Sequence, residues 1–110
     1  MKIYDAPALA AAAPTPNGDR PATTLVHDTS DARVVLFRLN PGQVVPVHTS
    51  SSTVLLTIIS GTGIVTGEEG QRTVKPGDIV AYAAQEPHGM QAAGDTLVIA
   101  AVIAPRPGPH

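Results

Sequence analysis

Short runs of β-branched and other apolar residues, each closed by Gly, Pro, Asn or Asp, return at roughly ten-residue intervals along most of this chain. The runs are residues 23–27, 33–39, 44–48, 54–60, 63–66, 71–74, 79–82, 88–92 and 96–103. That rhythm is the mark of an antiparallel sandwich or small barrel, and the apolar residues of these runs show no helical spacing. At 110 residues the chain has room for one domain and one modest core. The expected division is an N-terminal strand and arm over 1–22, a barrel over 23–103 and an extended Pro-rich tail over 104–110. Residues 2–4 are expected as a short first strand, followed by a loose arm through Pro14, Pro16, Asn17 and Gly18. Ala8–Ala13 is too weak an apolar stretch for a secretory leader, so a cytoplasmic protein is expected.

Composition removes several function classes. Seven basic and nine acidic residues give a net charge of −2, which offers no basic surface to nucleic acid. Aromatic residues are 3% of the chain and Trp is absent, so base stacking is not expected either. No apolar run reaches the ~20 residues of a membrane-spanning helix. Without cysteine there is no disulfide, no thiolate nucleophile and no zinc site of the Cys type. Any chemistry must come from His, carboxylates and hydroxyls.

Two turns echo each other. Asn40-Pro41-Gly42-Gln43 and Lys75-Pro76-Gly77-Asp78 each place Pro before Gly and feed a β run, as a type II turn requires. One run leads to His48 and the other to His88, so two equivalent turns deliver two histidines that could converge inside a barrel. Gly67-Glu68-Glu69-Gly70 reads as a hairpin turn, and Gly61-Thr62-Gly63 as a sharp bend or bulge. Neither is a phosphate loop, because no helical pattern follows. The apolar stretches within 54–59 and 97–103 present both faces, so one face is expected to line a core and the other to be covered by a second sheet or a second subunit, and a homodimer is expected.

At these residues the chain resembles the cupins. Their first motif is Gly, five residues, His-x-His, three or four residues, Glu, six residues and Gly. Here Gly42 is followed after five residues by His48, with Ser50 at the second His, Val54 at the Glu and Gly61 closing the frame. In the second motif Gly77 opens, Ala83, Ala84 and Gln85 stand at Pro-x-Gly, His88 is in register and Ala92 stands at the final Asn. The resemblance runs from about Leu25 to Ile103 and implies an all-β fold: a double-stranded β-helix, the antiparallel RmlC-like jelly-roll barrel.

It also implies a metal site of three His and one Glu, of which His48 and His88 are the positions retained. Ser50 shares a strand face with His48 and is better suited to orienting a water than to ligation. Glu86 and His27 are the remaining candidates for a further ligand. Val54, Leu56 and Ile58, with Met90 beyond His88, would make an apolar barrel interior, and Tyr82 could act beside a histidine as in the metal-free sugar epimerases of the family. The basic residues with which those enzymes hold nucleotide-sugar phosphates are almost absent near these motifs. Ser50, Ser51 and Ser52 are expected to form a strand-end turn, and Asp78 to cap its own turn; no orienting carboxylate or oxyanion hole supports a serine triad.

The expected function is binding of a small organic molecule in a pocket formed by His48, Ser50, Val54, Leu56, Tyr82, His88 and Met90. The residues leave the cofactor open: one divalent Zn, Ni, Fe or Mn on His48 and His88, or none. With a metal the resemblance points to an oxygenase or isomerase similar to the quercetin-dioxygenase-like small cupins. Without one it points to a ligand-binding barrel like those of some transcription regulators, or to a dimeric scaffold with a decayed site.

Overall fold

The computed structural model describes residues 1–14 and 20–106. Among these, nine strands follow one short helix: α1 (Ala6–Ala12), β1 (Ala22–Asp28), β2 (Arg33–Leu39), β3 (Val44–His48), β4 (Thr53–Ser60), β5 (Gly63–Gly67), β6 (Gly70–Val74), β7 (Ile79–Tyr82), β8 (His88–Ala92) and β9 (Leu97–Ala104). They pair antiparallel in a five-stranded sheet, β1-β2-β9-β4-β7, and a four-stranded sheet, β3-β8-β5-β6. This is the expected jelly-roll barrel.

The two Pro-Gly turns behave as their residues dictate. Gln43 N–H donates to Asn40 O at 2.9 Å and Asp78 N–H to Lys75 O at 3.1 Å, with Gly42 at φ 88° and Gly77 at φ 92°. These are type II turns with Gly in the left-handed position. Asp78 caps its turn as expected: its carboxylate accepts from Lys75 N at 2.9 Å and from Lys75 Nζ at 2.9 Å. The backbone bond, and then the ammonium contact, hold its pKa below the ordinary carboxylate value.

The core lies between the sheets. Leu39, Val54, Leu56, Ile58, Leu97, Ile99 and Ala101 point inward from the five-stranded sheet and meet Val65, Val74, Met90 and Ala92 of the other. Leu39, Leu97 and Ile99 are fully buried. At ~25 cal/mol per Å² of apolar area, each such side chain contributes about 1.5–3 kcal/mol of transfer free energy. Two-residue alternation explains the pattern: in β4 the burial reads exposed, buried, exposed, buried from Thr53 through Leu56.

The N-terminus departs from expectation. Residues 2–4 form no strand, and the chain instead builds α1. Asp5 caps it by accepting from Ala8 N at 3.0 Å, and Pro7 sits in its first turn, where a missing N–H costs nothing. Arg38 donates to the carbonyls of Ala10, Ala11 and Ala13, which sets a cation at the negative end of the helix dipole. Ala10 then packs on Leu36 and Val98 of the outer sheet face. The chain's own helix thus covers part of the second face, for which a second sheet or a second subunit was expected.

Strand β9 includes Ala104, so the tail begins one residue later than expected. The arm at Pro16, Asn17 and Gly18, and the tail's His110, lie outside the described residues. Among the described residues no helix is long and apolar enough to cross a membrane.

Candidate functional site

His48 and His88 stand at matching places on their strands. β3 pairs with β8 so that the two histidines lie directly opposite each other. Their ring centroids are 4.2 Å apart with planes at 60°, an edge-to-face arrangement favoured by ring quadrupoles. Gly89 permits the strands to come this close: a Cβ there would lie 3.0 Å from the Val47 side chain and 3.1 Å from Val45 O.

Each ring is held by the backbone two residues before it. His48 Nδ1 lies 2.8 Å from Pro46 O and His88 Nδ1 2.9 Å from Glu86 O. A carbonyl oxygen only accepts, so in the neutral form both imidazoles carry their proton on Nδ1 and present Nε2 as a lone pair. Neither Nε2 has a hydrogen-bond partner among the described residues. No fully buried side-chain nitrogen or oxygen there is left unpartnered. His88 is only 8% exposed, so its Nε2 must reach the space it lines. That space is a cavity of about 400 Å³.

The cavity is built from both sheets. Phe37 of β2, Val54 and Leu56 of β4, and Ala101 and Ile103 of β9 make one wall; Val45 and His48 of β3, with His88 and Met90 of β8, make the other. Thr49, Ser50 and Ser51 close the rim. Among the described residues no Lys, Arg, Asp or Glu lines it. Gln85 N–H donates to Ser50 O at 2.7 Å, tying the loop after β7 to the loop after β3. Ser50 Oγ accepts from Ser52 N at 3.0 Å, and buried Ser52 donates to Pro105 O at 2.6 Å, so the serine run is a turn, as expected.

Of the expected pocket residues, His48, Ser50, Val54, Leu56, His88 and Met90 meet here, and Tyr82 does not. Tyr82 stands behind His88, its ring 5.1 Å away, with its hydroxyl donating to Thr66 O at 2.8 Å. Burial, then the Glu86 carboxylate, push its phenol pKa up from 10.0. It is a support for the His88 ring. Ile58 is buried in the core outside the cavity. Glu86 turns away, because its carboxylate accepts from Ala83 N at 3.1 Å and Glu68 N at 3.4 Å and so braces the β5–β6 hairpin. His27 lines a different depression on the outer face, beside α1 and Met1. Phe37, Val45, Ala101 and Ile103 complete the site. Their signal is the alternation of β2, β3 and β9, which becomes usable once the inward face is known.

A metal of the kind that the motif positions imply would draw on His48 and His88. Metal sites with open coordination positions commonly keep three protein ligands. Among the described residues no cluster of three or more His, Cys, Asp or Glu exists. Two neutral imidazoles without a carboxylate do not fit a resident divalent ion.

The pattern of the family described as "Cupin domain" matches residues 35–104. Among solved structures, TT1209 from Thermus thermophilus is similar at 27% identity and TM-score 0.86, covering 97% of this chain and 100% of its own. An uncharacterized conserved protein with a double-stranded β-helix domain from Klebsiella pneumoniae is similar at 25% identity and TM-score 0.83, over 96% and 91% of the two chains. KdgF from a Halomonas species shares the fold at 20% identity and TM-score 0.76, over 84% and 86%. None of the curated proteins matches the sequence. The family pattern spans most of the chain, and the chain belongs to the cupins.

Proposed function

We propose that this chain is a small-molecule-binding cupin whose ligand occupies the cavity beside His48 and His88. The observation that carries the reading is the make-up of that cavity. Apolar walls from both sheets surround about 400 Å³, and two histidines are part of the lining. Ligand sites commonly have this character, mostly apolar with a few placed polar groups, and the volume lies near the small end of their range. A compact ligand of about one ring suits it. Fold relatives carry varied names, including KdgF and a predicted oxalate decarboxylase from Thermotoga maritima, at 20% and 21% identity. Likeness at that level speaks for the barrel and leaves the ligand to the cavity itself.

The test is thermal unfolding in EDTA against one-ring apolar compounds. A ligand at a hundred times its Kd stabilises by about 2.7 kcal/mol, a readily measured rise in Tm. Ala101→Leu, which extends a side chain into the cavity, should abolish the rise. If no compound shifts Tm up to its solubility limit, or if Ala101→Leu leaves the shift intact, the cavity is not a binding site.

We further propose a homodimer through the outer face of the five-stranded sheet. Helix α1 covers one part of that face, while Leu55 and Ile79 remain 39% and 71% exposed. Exposed apolar side chains on one sheet face are what a second copy would bury. Light scattering behind size exclusion should give twice the chain mass, and the mass of one chain for Leu55→Glu with Ile79→Glu. A wild-type protein that runs as a monomer at every concentration disposes of the dimer.

A further inference from the structure

We infer that the two histidines form a metal-free acceptor pair, and that the ligand they select is a small phenol, an uncharged ring bearing hydroxyl. The inference deepens the proposed binding function and rests on it. Both Nδ1 protons are committed to backbone carbonyls, at 2.8 and 2.9 Å. In the neutral form, what faces a ligand is therefore a lone pair on each ring. The rings are neighbours, 4.2 Å between centroids, and both line the same cavity, His88 buried and His48 exposed. His88 is 8% exposed, and its Nε2 has no protein partner among the described residues. A partly desolvated acceptor left unpaired is costly, so a ligand without a donor is penalised when it displaces water there.

The remaining walls narrow the chemistry. Among the described residues no cationic side chain lines the cavity, so a carboxylate or phosphate finds no countercharge and meets only lone pairs. Phe37, Val54, Leu56 and Met90 give the ring an apolar bed, with a thioether that contacts aromatic edges favourably. A phenolic hydroxyl is a strong neutral donor on a flat apolar body and satisfies both demands. A second, adjacent hydroxyl would serve the second imidazole.

The experiment measures binding of phenol, catechol, toluene and benzoate by calorimetry in EDTA, with the wild-type chain and with His48→Ala, His88→Ala. Phenol is expected to bind about tenfold tighter than toluene, the worth of one well-made hydrogen bond, and benzoate more weakly than both. In the double variant phenol and toluene should bind alike. Nitrogen NMR of histidine-labelled protein supplies a reading that needs no variant: phenol, but not toluene, should shift the Nε2 resonances while Nδ1 stays protonated. Toluene binding as tightly as phenol overturns the acceptor pair while leaving the cavity a binding site. Benzoate binding more tightly than phenol overturns it too, as does phenol binding that EDTA abolishes and zinc restores. If none of the four binds, the pocket reading and the acceptor pair fall together.

Discussion

Gly61→Ala is expected to destabilise the fold by about 2–5 kcal/mol, enough to unfold much of the protein near its ordinary Tm. Gly61 follows β4 with φ at 76°, a left-handed conformation that costs an L-residue about 1–2 kcal/mol. A Cβ at this position would lie 1.9 Å from Thr96 O and 2.8 Å from Thr96 C. The obstacle is backbone, which cannot rotate aside, and crowding of that kind adds roughly 1–3 kcal/mol. The neighbourhood is also fixed from both sides. Thr62 donates through N–H and Oγ1 to Asp95 Oδ1, each at 3.0 Å, and Ala93 N–H donates to Thr62 O at 3.1 Å. Urea unfolding monitored by circular dichroism reads the loss. Gly94→Ala is the matched control, since a Cβ there meets nothing within 4 Å. Equal stability of the two variants would mean that the 61–63 and 93–96 segments do not cross as described.

Ile99→Ala should cost about 2–5 kcal/mol. Ile99 lies in β9, opposite Phe37 on one side and Ile58 on the other, and has no exposed surface. Deleting its outer carbons leaves a void that both sheets would have to collapse to fill, and close-packed interiors collapse only in part. The denaturation midpoint should fall with the slope unchanged, as expected when stability changes and the denatured state does not. Leu25→Ala on edge strand β1, where Leu25 is 57% exposed, should stay within about 0.5 kcal/mol. A loss at Ile99 no larger than at Leu25 would place the core elsewhere. Ile99 does not line the cavity, so what remains folded should still bind.

Much of the barrel was legible because its turns carry explicit chemistry. Residues 33–39, 44–48, 79–82 and 88–92 are strands with the expected ends. Pro41-Gly42 and Pro76-Gly77 account for the starts of two of these, since Pro and Gly fix the φ values that a type II turn needs. Helix α1 was illegible to periodicity, because an alanine run has no apolar face to distinguish. Its signal was local: Asp5 ahead of Pro7 is a cap followed by a permitted first-turn proline.

The candidate site divides in the same way. His48 and His88 could be paired because two similar turns set two similar registers. Phe37, Ala101 and Ile103 could not be assigned, since β2 and β9 are apolar on successive residues and their inward face depends on which strands they pair with. Tyr82 shares the expected side of its strand but stands a layer behind His88, held there by the Thr66 carbonyl. Glu86 and His27 were separated from the pocket by features that spacing does not report: hydrogen bonds to a distant hairpin in one case, an edge strand facing outward in the other.

The orientation of both histidine rings is set by main-chain oxygens, those of residues 46 and 86. Every amino acid brings the same carbonyl, so the tautomer is inherited from the path of the chain and survives replacement of either residue that keeps the strand in place. Neither side chain lines the cavity, so variation at those two positions leaves the polarity of the pocket as it is. A change of ligand preference would instead have to come from the side chains that line the cavity, with the two ring orientations kept.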